Sequence, residues 1–178
     1  MKKLLFTALL VSVCLNSFAQ NDTAPNELKI NLSNLIGFKW LDIGYERILN
    51  EESSIGVGTL ISLDNNKEVL NDTRTFSLTP YYRHFLSDKY AQGLFVEAFS
   101  MIHSGKFDSY TYTEDPVTEI KNEEKFTDLA VGVSVGAKWA TPRGFVAEAY
   151  VGIGRDMLNK SNLDIVKRGG ISIGYRFQ

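Results

Sequence analysis

The chain of 178 residues has two histidines, and one of them, His103, is followed directly by Ser104. A serine nucleophile, a histidine base and an acid together make an acyl-transfer site. Neighbouring residues of an extended chain point to opposite faces, so His103 and Ser104 do not converge unless their strand carries a bulge. His84 has the sequence position of an imidazole at an apolar boundary. A second group is the set of carboxylates Asp108, Glu114, Asp115, Glu119, Glu123 and Glu124, which crowd one segment without the regular ligand spacing of a calcium loop. A third is a series of charges of alternating sign, Lys29, Glu46, Arg83, Glu97, Lys138, Glu148 and Arg176, whose chemistry is ion pairing. No glycine-rich phosphate loop, histidine-rich metal motif or basic aromatic patch occurs, so neither a metal nor a cofactor is expected.

What positions these groups follows from composition and pattern. Lys plus Arg number 19 and Asp plus Glu 21, a net charge of −2, which argues against a nucleic-acid partner. Apolar residues make up 44% and aromatics 12%, too rich for a disordered chain. Residues 1–19 have the layout of a signal peptide: Lys2 and Lys3, an apolar run from Leu4 to Leu15, then Ser17, Phe18 and Ala19 before a cut. The single cysteine, Cys14, lies in that leader, so the mature chain is expected to have no disulfide or thiolate site. A lipidated Cys14 would need a small residue before it, where Val13 stands. Residues 20–178 are read as one domain with no apolar stretch long enough for a helical span.

Along that domain apolar residues recur at every second position, with no 3.6-residue stripe. Eight strands are predicted, at 27–35, 39–49, 54–63, 75–86, 94–104, 127–139, 145–155 and 165–177. On the sixth, Leu129, Val131, Val133, Val135, Ala137 and Trp139 oppose Ala130, Gly132, Ser134, Gly136 and Lys138. One face is apolar and the other small or charged. A segment at 93–99, GLFVEAF, is echoed at 144–150, GFVAEAY, which places a glutamate at the same depth in strands five and seven.

Alternation alone does not say which face is inside, because a lipocalin-like carrier would turn the apolar side inward. Three features favour apolar-out. The polar face is rich in glycine (56, 58, 132, 136, 152, 154, 170 and 174), as crowding in a narrow lumen requires. Tyr45, Tyr82, Trp139, Tyr175 and Phe177 fall on the apolar face near one end, the placement of an interfacial girdle. Connections after strands two, four and six are short, and those after three, five and seven are long. The expected fold is thus all-β: a closed, eight-stranded, antiparallel up-and-down transmembrane barrel with a polar lumen and both termini periplasmic. The link at 36–38 breaks the alternation of lengths, and Trp40 has the wrong parity for a lipid anchor, so a bulge is expected there.

In this register the seven charges of alternating sign share the lumen at one depth. Buried charges persist by pairing, so they are expected to form a network that plugs the lumen and fixes strand register. The 22-residue connection at 105–126, with Tyr110, Tyr112, Glu114 and Asp115, is read either as a projecting hairpin whose edge binds an extracellular ligand or surface, or as a mobile acidic loop.

The leader, the eight amphipathic segments, the interior Glu/Arg/Lys pairs and the C-terminal run Gly170, Ile171, Ser172, Ile173, Gly174, Tyr175, Arg176, Phe177 resemble the OmpA membrane domain and OmpX class of small outer-membrane barrels. The resemblance implies outer-membrane lipid and the barrel-assembly machinery as partners, although Gln178 follows the aromatic residue that ordinarily ends such chains. It also implies a non-enzymatic role in envelope integrity or surface interaction. A narrow gated pore is the alternative; a periplasmic carrier, or a lipid A-modifying enzyme of the kind some small barrels are, comes third.

Overall fold

The computed structural model describes residues 25–63, 74–114, 117–158 and 165–178, with the side chains of 107–124 outside that description. The leader at 1–19 and Asp115 therefore lie outside the described residues, as do the side chains of Tyr110, Tyr112 and Glu114.

Eight strands, β1 (Asn26–Asn31), β2 (Trp40–Ile48), β3 (Ser53–Ser62), β4 (Arg74–Phe85), β5 (Gly93–Glu114), β6 (Val117–Ala140), β7 (Phe145–Asp156) and β8 (Ile165–Phe177), pair antiparallel in chain order. The sheet closes through β1 and β8, with Asn26 opposite Phe177 and Asn31 opposite Ser172. Closure leaves no free edge around the wall. The apolar stripes lie outside: Val133, Val135 and Ile171 are each more than half exposed, while Glu46 and Lys138 are fully buried. The barrel is therefore the inverse of a lipocalin-like carrier.

Short turns at 49–52, 86–92 and 141–144 gather at the end where β1 begins and β8 finishes. Each is locally determined. Asn50 Oδ1 accepts from Glu52 N and Ser53 Oγ at 2.9 Å each, an Asx turn. Gly144 has φ 88°, a left-handed turn position that suits glycine.

Two sequence expectations are corrected at the opposite end. The first strand stops at Asn31 instead of continuing to residue 35, and a helix, α1 (Leu32–Phe38), follows it. Asn31 caps this helix, its Oδ1 accepting from Asn34 N at 3.1 Å, and Lys39 ends it in the left-handed conformation (φ 55°). The helix fills the gap left because β1 is shorter than both neighbours. Asn31 Nδ2 donates to the Gly169 carbonyl at 3.2 Å and Ile171 N donates to Ser33 Oγ at 2.9 Å, so side chains satisfy the β8 backbone where no strand does. Gly170 (φ 149°) allows that approach, since a Cβ there would collide with Asn31 and Ser33. Trp40, for its part, needs no bulge. The β2–β3 register runs unbroken from Trp40 opposite Ser62 to Ile48 opposite Ser54, and the indole faces inward, 8% exposed. The register irregularity lies instead between Arg74 and Phe76.

The connection at 105–126 is largely strand. β5 and β6 pair continuously from Gly93 opposite Lys138 to Glu114 opposite Val117. β4 leaves β5 at Gly105 and β7 leaves β6 at Ala130, and the ribbon beyond them pairs with no other described strand. At about 3.4 Å per residue it extends roughly 30 Å past the wall.

Candidate functional site: the ionic interior

The lumen face is more than small or charged. Tyr81, Phe85, Phe95, Phe99 and Tyr150 are buried inside, and glycines make room for them. One row across the sheet reads Gly56, Tyr81, Phe99, Gly132, Gly154, and another reads Phe85, Phe95, Gly136, Tyr150, Gly170. A Cβ on Gly132 would lie 2.5 Å from the Phe99 ring, and one on Gly136 2.5 Å from that of Phe95. Bulky side chains on some strands thus face glycines on others, which is how a narrow interior is filled.

Between these rings lie four carboxylates and five cations in one cluster. Glu46 is its hub. It receives Lys29 Nζ at 2.5 Å, Lys138 Nζ at 2.5 Å and Arg83 Nη1 at 3.0 Å, and accepts from Ser54 Oγ at 2.6 Å and Tyr81 Oη at 3.2 Å. Glu148 takes Lys29 at 2.7 Å and Arg83 at 2.8 Å. Glu97 takes Arg83 at 2.7 Å and Arg168 at 2.6 Å. Glu27 takes Lys138 at 2.8 Å and Arg176 at 2.7 Å. Among the described residues no buried side-chain nitrogen or oxygen lacks a hydrogen-bond partner.

Some of the pairs join neighbouring strands, as Arg83 and Glu97 do, and others join strands that the backbone does not. Lys138 of β6 reaches Glu27 of β1 and Glu46 of β2, while Arg83 of β4 reaches Glu148 of β7. Glu27 and Glu46 stand directly opposite each other on neighbouring strands, an arrangement of like charges that is unfavourable by itself. Lys138 lies between them from the far wall. Aromatic faces complete the cation sites: Arg83 lies 3.8 Å over the Phe95 ring and Lys138 is 4.9 Å from that of Phe85.

All seven charges singled out from sequence meet in this cluster, which also contains Glu27 and Arg168. Arg168 is eight positions from Arg176, yet Arg168, Gly152, Ser134, Glu97 and Arg83 occupy one row across the tilted strands. Depth in a barrel is read along rows and not from strand ends. That shear was the available signal.

The girdle residues are on the outer wall: Tyr45 at 38% exposure, Phe177 at 42%, Tyr82 at 48%, Tyr175 at 51% and Trp139 at 61%. Phe145 packs edge-on to Tyr175 at 6.3 Å. His103 and Ser104 diverge. His103 lies inside, with Nε2 2.8 Å from Asp156 Oδ1, while the Ser104 carbonyl accepts from Thr75 Oγ1 at 3.1 Å. His84 is half-buried on the outer wall.

Closed walls, an apolar outside and a paired ionic inside define a small barrel of the outer-membrane type. Among solved structures the chain is similar to the N-terminal β-barrel domain of Pseudomonas aeruginosa OprF. The two share 11% identity with a TM-score of 0.51, covering 86% of this chain and 98% of that one. The likeness is one of fold. No family model and no curated protein matches the sequence.

Proposed function

We propose that this protein is a non-enzymatic outer-membrane barrel whose lumen is blocked by its ion-pair network, and that it serves envelope integrity and presents a surface for interaction. The observation that carries the reading is the pairing of Arg83 and Lys138 with carboxylates on the far wall, side by side with an exposed apolar exterior. Charges joined across a lumen occupy the path that a solute would take. The girdle, Trp139 above all, marks one lipid boundary. The short-turn end, which holds both strand termini, faces the periplasm, and the C-terminal strand engages the barrel-assembly machinery. The ribbon beyond Gly105 then projects outward, where its two unpaired edges are available to an extracellular ligand or surface.

The test is reconstitution in vesicles of phospholipid brominated on the acyl chains. Trp139 fluorescence is expected to be strongly quenched, and a Trp139→Phe variant, which retains Trp40, is expected to lose most of that quenching. An unquenched Trp139 in folded protein would overturn the lipid contact. Discrete conductance steps in a planar bilayer would favour the narrow pore.

A further inference from the structure

Above the ionic cluster, at the end with the long connections, the barrel holds a partly open cavity of about 170 Å³. Its walls combine two kinds of group. Trp40, Leu60 and Met101 give it apolar sides, and Phe38 of α1 packs on Trp40 with ring centroids 5.3 Å apart. Arg74, Arg168, Ser77 and Thr79 line it with hydrogen-bond donors. Ser77 and Thr79 are 3% and 4% exposed, two positions apart on β4 and hence on one face. The Arg74 guanidinium lies 5.7 Å over the Trp40 ring, donating to the Lys167 carbonyl at 2.9 Å and toward the Met101 sulfur at 3.1 Å. The one carboxylate in the wall, Asp42, already accepts at Oδ2 from Asn31 at 3.0 Å and Asn34 at 2.8 Å.

We infer that this cavity binds a compact organic anion, a carboxylate carried on a small apolar or aromatic body. The Arg74 and Arg168 guanidinium groups, the second also paired with Glu97 at 2.6 Å, together with the Ser77 and Thr79 hydroxyls favour an acceptor-rich, negatively charged head. The indole, leucine and methionine walls favour an apolar body and disfavour a bare hydrated ion. The cavity has room for about one ring, since an apolar cavity of about 150 Å³ holds benzene. The floor sets the same limit. Below Arg168 and Asp42 the next void is about 20 Å³, room for roughly one water molecule.

Benzoate is a suitable probe, with benzamide as its neutral twin. The chain has two tryptophans, so in a Trp139→Phe background Trp40 alone reports on the cavity. Titrating benzoate into the folded protein in a neutral detergent is expected to give a saturable change in Trp40 fluorescence, with benzamide at least tenfold weaker and acetate or chloride ineffective. Gly58→Leu is the blocking variant. Gly58 lines the cavity, and a Cβ there meets nothing nearer than 3.9 Å, so the added side chain fills the space while the barrel still shows heat-modifiable migration on a gel. It is expected to weaken benzoate at least tenfold, as is Arg74→Met. A wild-type response that is absent or does not saturate would overturn the site, as would one that survives Gly58→Leu. Equal responses to benzoate and benzamide would overturn the requirement for an anion, and equal responses to benzoate and chloride the requirement for an organic body.

Discussion

Glu46 concentrates the electrostatics of the barrel in one side chain, since three cations converge on its two oxygens. Removing one partner of a buried pair costs about 3–5 kcal/mol because the remaining charges stay desolvated. Glu46→Gln, which keeps the shape, is expected to lower stability by about that amount, read as a fall in the urea midpoint. Arg176, at the rim and 16% exposed, is expected to cost less than this on replacement by alanine, because Glu27 keeps Lys138 at 2.8 Å. The glycines divide in the same way. Gly132→Ala would bring a Cβ to 2.5 Å from the Gly154 backbone as well as from Phe99, and is expected to destabilise by about 1–3 kcal/mol. Gly58→Ala, with nothing inside 3.9 Å, is expected to be close to neutral. At this scale the sequence identified Glu46 through parity and sign but passed over Glu27. It is the neighbour of Lys29 on the same face, and its partners, Lys138 and Arg176, come from β6 and β8.

Legibility of the elements depended on contrast between faces. β6 and β8 alternate between apolar and small or charged residues, so period two defined them well. β4 and β5 carry apolar residues on both sides, Phe95 and Phe99 inside against Leu94 and Val96 outside, and the inward aromatics went unrecognised. The α1 helix was missed for a different reason: at seven residues it spans two turns, too few for a 3.6-residue period to stand out. Its cap was nevertheless written in Asn31, whose amide serves the helix, Asp42 and the Gly169 carbonyl. Asn31→Ala is expected to cost about 1–2 kcal/mol and, because Asn31 Oδ1 also accepts from Ser33 Oγ at 2.8 Å, to loosen the hydroxyl that accepts from Ile171 N, measurable as faster hydrogen exchange there. The β5–β6 ribbon is the opposite case. The β4–β5 pairing ends at Gly105 and the β6–β7 pairing at Ala130, so replacing residues 107–124 with a tight turn leaves every strand pairing of the barrel wall in place. The unfolding temperature of the shortened protein is expected to stay within about 4 °C of the parent, the shift that roughly 1 kcal/mol produces in a domain of this size.

For the molecule as a whole, closure and filling are separate achievements. The backbone closes the wall by pairing β1 with β8, whereas the lumen is filled by ion pairs that run across it, and volume and charge can be altered independently. Lys29 and Glu148 make a pair of this kind at 2.7 Å. Removing both leaves Glu46 with Lys138 and Arg83, and Arg83 with Glu97, so no orphan charge results. Replacing the pair with two methionines keeps the volume, and exchanging a buried ion pair for apolar groups of similar size is often neutral or stabilising. Replacing it with two serines removes the volume and leaves hydroxyls that water can join. The Met–Met barrel is therefore expected to unfold at or above the parental midpoint and to remain silent in a planar bilayer, while the Ser–Ser barrel shows discrete openings. Were the methionine pair to conduct as well, charge and not packing would be what blocks the lumen; were the parent to conduct, the network would be a gate and not a plug.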